Sequence, residues 1–134
     1  NGTRKPCITG LPFPGGSRFP DGERIPMTQP AMLTKNAQQV VEEAKAQIRE
    51  LDVASLRQWL KEKRPMALID VREPDEFTKG SIPGATNIPR GLLEFSVDQR
   101  IQDPNGTVVL YCAGGGRSAL AAKSLQDMGF SDVY

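Results

Sequence analysis

The chain has 134 residues and carries 17 Lys and Arg, 16 Asp and Glu and no histidine, a formal charge of +1 with a sequence pI near 8.0. That length favours one domain, and the near-neutral charge gives no field for nucleic acid or a membrane surface. The absence of histidine excludes Ser-His-Asp triads, Cys-His pairs and His-ligated zinc, so a reactive thiol must be activated by backbone N–H groups, a helix dipole or a cation.

Residues 1–30 hold six prolines and five glycines, which disfavours regular helix or strand and predicts a Pro/Gly-rich N-terminal arm. Leu11, Phe13, Phe19, Ile25 and Met27 would give such an arm something to bury. Cys7 lies here with no nearby acid, base or second cysteine and reads as a bystander thiol. A Cys7–Cys112 disulfide is compatible with the sequence, but it would block the one plausible nucleophile. Free thiols in a reducing, cytoplasmic setting are therefore expected. The end has no signal-peptide layout and no starting Met, which fits a processed or trimmed terminus, and no apolar run suits a bilayer span.

Residues 31–51 form an N-terminal helical segment, with a helix expected over 32–50. Val40, Val41, Ala44, Ile48 and Leu51 recur at helical spacing, with Glu42, Glu43, Lys45, Arg49 and Glu50 mostly on other faces. Asp52 is placed to cap a second helix over 54–63, whose apolar stripe is Leu56, Trp59 and Leu60 and which Pro65 stops. Trp59 reads as core.

Ala67 to Val71 is an apolar run broken only by Asp70, which suits a central parallel strand. Glu73 to Phe77 starts a short helix with Pro74 in its first turn. A turn at Ile82-Pro83-Gly84-Ala85 leads to a short strand at 86–88, a short helix over 90–95 and a turn at Asp103-Pro104-Asn105-Gly106. Thr107 to Tyr111 is the second buried strand. A helix from Ser118 to Met128 ends at Gly129, and a further strand begins over 131–134. Strands alternating with helices imply an α/β fold, a central mostly parallel sheet with helices on both faces, whose ligands gather at the carboxyl ends of the strands. Asp70-Val71-Arg72 and Cys112 both sit at such ends.

The run Tyr111-Cys112-Ala113-Gly114-Gly115-Gly116-Arg117-Ser118 carries the chemistry. It reads as a strand, an anion-cradling loop and a helix N-terminus with a thiol at its base. Arg117 is the obvious cation. An inert buried cysteine fits poorly, because three consecutive glycines after a core strand bring no packing advantage.

Leu68-Ile69-Asp70-Val71-Arg72-Glu73-Pro74-Asp75-Glu76-Phe77, followed by Gly80-Ser81-Ile82-Pro83-Gly84-Ala85-Thr86-Asn87-Ile88-Pro89, resembles the first signature of rhodanese-homology domains. The Cys112 run, the Ala-rich helix after it and Gly129-Phe130 resemble the active-site signature. The resemblance covers residues 52–134 and implies a rhodanese-like fold. It further implies a thiosulfate-type sulfurtransferase in which Cys112 takes the outer sulfur of a small anionic donor as a persulfide. A thiol or cyanide acceptor then removes it, with a protein acceptor also compatible. Ala113, Gly114, Gly115, Gly116, Arg117 and Ser118 would form the substrate-binding loop, and Asp70 and Arg72 would support it. Asp70 could hold the loop through backbone or arginine hydrogen bonds, or be half of an ordinary strand-end ion pair. No metal or organic cofactor is called for, and neither nucleic acid nor membrane is an expected partner. Ser81 stands where the family usually has histidine. The glycine turn and final helix that follow the last strand in the family lie outside this sequence, which reads as a domain trimmed at its C-terminal end.

Two other functions compete. Cysteine phosphatases and arsenate reductases use a related C-x5-R loop, whereas this chain has C-x4-R, a ring shorter by one residue and tighter for a tetrahedral oxyanion. A persulfide carrier or docking module loaded by a partner protein would keep the same cysteine, with the N-terminal arm and first helix as docking elements.

Overall fold

The computed structural model describes residues 32–134, so the expectations for the arm at 1–30 and for Cys7 lie outside the described residues. The first helix, α1 (Ala37–Gln47), opens at a reciprocal cap: Asn36 Oδ1 accepts the Gln39 N–H at 2.9 Å, and Gln39 Oε1 accepts the Asn36 N–H at 2.8 Å. It is shorter than the helix expected over 32–50. The cap fixes its start, and Ile48 turns to extended backbone at its end. Ala44 is buried against α5 (Gly116–Met128), while Val40 is exposed.

Asp52 caps α2 (Val53–Lys61) through the Ser55 N–H at 2.6 Å. The helix stops at Lys61 rather than at 63 because Lys63 adopts a positive φ of 53°. Trp59 is half-buried, meets Tyr134 edge-on at 5.2 Å and carries the Arg64 guanidinium 3.7 Å above its ring.

Four strands form one parallel sheet in the order β2-β1-β3-β4: β1 (Ala67–Asp70), β2 (Thr86–Asn87), β3 (Thr107–Tyr111) and β4 (Asp132–Val133). Every pairing is parallel, as continuous apolar strands require when crossover helices cover them. Between β1 and β2 lies α3 (Pro74–Lys79). A 3-10 turn at Arg90–Leu92 then runs straight into α4 (Leu93–Arg100), longer than the 90–95 helix the sequence suggests.

Ile69, Val71, Val108, Leu110 and Val133 point to one face and meet Leu93 and Val97 of α4 and Leu125 of α5. Burying a side chain of this size stabilises by about 1.5–3 kcal/mol. Across the sheet, Val109 and Tyr111 face Leu51, Val53 and Leu56 over a cavity of about 630 Å³. Gly129 closes α5 with φ +110°, a left-handed position that glycine takes without strain.

The register sets Asp70 beside Tyr111 and Asn87, so neighbouring strands end at one level. Cys112 follows immediately after β3, at the carboxyl edge where sheets of this kind bind ligands.

Candidate active site

The strand-to-helix connection after β3 is very short. Helix α5 begins at Gly116, two residues before the start the sequence suggests, so Arg117 and Ser118 belong to its first turn. Gly115 sits before it with φ +87°, and there the chain reverses. Gly114 and Gly116 do not have positive φ. Of the three glycines, Gly115 alone is demanded by backbone conformation.

This turn folds the helix end onto the thiol. Cys112 Sγ accepts the Gly115 N–H at 3.1 Å and the Ser118 N–H at 3.4 Å. The first N–H groups of a helix have no partner within it, so the sulfur acts as the cap of α5 and sits at the positive end of its dipole. Ser118 Oγ lies 3.5 Å from Sγ and 3.2 Å from the Gly115 carbonyl. In the thiol form the hydroxyl donates to that carbonyl and accepts S–H. In the thiolate form it turns to donate to sulfur.

Burial pushes the Cys112 thiol up. Hydrogen bonds from the Ser118 hydroxyl and from the N–H groups of Ser118, Gly115 and Gly114 outweigh burial and hold it below its ordinary value. Of the three means open to a chain without histidine, oriented dipoles are the ones that lower this thiol. Ala113 and Gly114 are exposed at the mouth of the loop, while Cys112, Gly115 and Ser118 also line the cavity beside the sheet.

Arg117 does not point its charge at the thiol. Its Nη1 and Nη2 donate to Glu76 Oε1 and Oε2 at 2.7 and 3.1 Å, a two-pronged pair with α3. That pairing holds the Glu76 carboxyl down at about 2 and raises the Arg117 guanidinium further. Glu76 is thus a member of the site that helix periodicity does not disclose; its partner lies 41 residues away in the chain.

Asp70 and Arg72 form a separate unit. Asp70 is fully buried and accepts the Arg72 backbone N–H at 2.9 Å and its guanidinium at 2.7–3.0 Å. Burial pushes the carboxyl up, and the Arg72 side chain, its backbone N–H and the Tyr111 hydroxyl bring it below the usual range. The second Arg72 donor reaches the Gly80 carbonyl at 2.7 Å, and the Tyr111 hydroxyl accepts the Ile82 N–H at 3.0 Å. This network fixes the chain after α3. Of the two readings of Asp70, the strand-end ion pair is the observed one: its bonds go to Arg72 and none of them to the cysteine loop.

From outside the loop, α1 packs onto the turn. Val41 Cγ2 lies 3.7 Å, and Lys45 Nζ 3.9 Å, from the points where a Cβ would stand on Gly116 and on Gly115. Helical spacing sets Lys45 among the off-core residues of α1, and only the packing of α1 on α5 reveals its place at the loop.

Comparison with known proteins agrees with this geometry. The family model described as a rhodanese-like domain matches residues 52–134. A probable adenylyltransferase/sulfurtransferase, MoeZ of Mycobacterium tuberculosis, is 43% identical over 78 residues, which are 58% of this chain and 20% of that protein. A sulfurtransferase of Allochromatium vinosum is 34% identical over 86 residues, covering 64% of this chain and 78% of the relative. Among solved structures, RPA3614 of Rhodopseudomonas palustris is described as a protein of unknown function and possible tyrosine phosphatase. It superposes with a TM-score of 0.72 at 36% identity, over 79% of this chain and 86% of that one.

Proposed function

This chain belongs to the rhodanese-like domain family, and from that premise we propose that it is a sulfurtransferase that moves sulfane sulfur through a persulfide on Cys112. The observation that carries the reading is the sulfur of Cys112, held by the Gly115 and Ser118 N–H groups at 3.1 and 3.4 Å at the head of α5.

The steps follow from that placement. The Cys112 thiolate attacks the outer sulfur of a donor such as thiosulfate. The donor's S–S bond breaks, sulfite leaves with the electron pair, and a Cys112 persulfide remains. A thiol or cyanide then attacks the outer persulfide sulfur and regenerates the thiolate, with thiocyanate as the product from cyanide. The sequence is covalent, two-step and redox-balanced. Loop N–H groups stabilise the negative sulfur in both halves of the cycle, because the charge remains at the end of the helix dipole. MoeZ and the Allochromatium vinosum relative are both described as sulfurtransferases, and the chain spans only a fifth of MoeZ.

The description of RPA3614 favours a phosphatase as the second reading. Against it stand the shorter C-x4-R loop and an Arg117 turned to Glu76 instead of to the loop's interior. A persulfide carrier loaded by a partner protein would use the same thiol, and free turnover with thiosulfate separates it from an enzyme.

The test is intact mass after incubation with thiosulfate, then after cyanide. A gain of one sulfur atom, removed by cyanide with thiocyanate formed, supports the proposal. No gain, combined with hydrolysis of a phosphate ester, overturns it.

A further inference from the structure

We infer that Lys45, on the helix preceding the matched domain, binds the anionic end of the sulfur donor. This rests on the sulfurtransferase reading above. The loop's own cation is occupied, since both terminal nitrogens of Arg117 are held by Glu76. Lys45 is differently placed. Its ammonium stands 3.9 Å from the position of a Cβ on Gly115. Among the described residues the one carboxylate in ion-pair range is Glu50, at 4.0 Å, and the lysine side chain is 41% exposed.

The Gly115 N–H is 3.1 Å from Cys112 Sγ, so backbone dimensions keep the ammonium within about 10 Å of the sulfur even along the longest path. A donor whose outer sulfur meets Sγ carries its oxyanion outward from the loop, which shortens that distance. The flexible lysine stem, a compact charge on four methylenes, can close the rest. Anchoring is secure, because Ala44 beside Lys45 is buried and Val41 packs at Gly116. Lys45 therefore favours small, doubly charged donors over neutral ones. It acts on loading of the persulfide and not on its removal by a neutral thiol.

The experiment compares wild type with Lys45→Gln, Lys45→Glu and Lys45→Arg. Loading of Cys112 by thiosulfate and unloading of the preformed persulfide by 2-mercaptoethanol are measured separately, at low and high salt. Lys45→Gln is expected to raise the thiosulfate KM about threefold to tenfold at low salt, from a single lost charge near a dianion. Lys45→Glu is expected to raise it further, Lys45→Arg to restore it, and high salt to shrink every difference. Unloading should be unchanged in all variants. A wild type that loads sulfur, with an equal KM in Lys45→Gln, overturns the inference alone. Equal losses in loading and unloading overturn it as well, since they mark a structural role. A wild type that takes no sulfur from thiosulfate overturns this inference, and if it also hydrolyses a phosphate ester the proposed function falls with it.

Discussion

Glu76 grips Arg117 with both carboxylate oxygens, at 2.7 and 3.1 Å, and thereby ties α3 to the first turn of α5. The residue that looks in sequence like an anion receptor is already matched to an internal carboxylate. In this geometry it joins the loop to α3.

Loss of that tie has a pH signature. Glu76 lies at about 2, against 4.5 for an ordinary glutamate. Its contribution to stability is thus fully present above about 4.5 and is lost as pH falls through about 2. Glu76→Gln should be less stable than wild type at neutral pH and should show a shallower fall in unfolding midpoint between those two values. Thermal melts over a pH series measure this, and parallel curves for the two proteins would contradict it.

Much of this arrangement can be read from the sequence, and the unread parts share one cause. The apolar run around Asp70, the strand at Thr107–Tyr111, the Asp52 cap and the Gly129 stop are local patterns, and each appears where its chemistry predicts. The start of α5 escapes such reading because three glycines look like loop. Gly116 opens the helix, with the Cys112 sulfur accepting the Ser118 N–H of its first turn. The Glu76–Arg117 pair and the approach of Lys45 to Gly115 join segments far apart in the chain, and periodicity carries no information about them. Asp70 and Arg72 are visible as a strand-end pair, while their service to the Gly80–Ile82 segment, through the Gly80 carbonyl and Tyr111, appears only in three dimensions.

Cys112→Ala should take up no sulfur from thiosulfate and form no thiocyanate. The helix end loses its sulfur cap, so stability should fall by an amount typical of a lost N-cap, about 1 kcal/mol. Circular dichroism should show the same secondary structure. Thiocyanate formation by this variant would remove Cys112 from the mechanism.

The loop glycines should separate by backbone conformation. Gly115→Ala places a side chain at φ +87°, at a cost of about 1–2 kcal/mol. It should also tilt the Gly115 N–H away from sulfur and slow loading. Gly114→Ala lacks that strain, and a Cβ there would meet nothing within 4 Å, so stability should stay near wild type. Chemical denaturation of both variants checks the contrast, and equal losses would refute it.

Ser118→Ala removes a hydroxyl that donates to the thiolate, so the thiol should titrate at higher pH than in wild type. The alkylation rate with iodoacetamide, followed against pH, should rise later in the variant. The neighbouring N–H groups remain, so the midpoint should stay below that of Gly115→Ala combined with Ser118→Ala. A profile unchanged by Ser118→Ala would assign the activation to the backbone alone.

The sulfur proposed to react is also the atom that caps the start of α5. In many enzymes the features that make a group reactive weaken the fold around it. At Cys112 the two demands run in the same direction. The Gly115 and Ser118 N–H groups that favour the thiolate also find in it the partner that a helix start lacks, so deprotonation strengthens the native state instead of straining it. A group whose native value lies below its unfolded one adds stability above the unfolded value and loses it as pH falls through the native value. A thiol made easier to ionise in this loop therefore comes with a firmer helix.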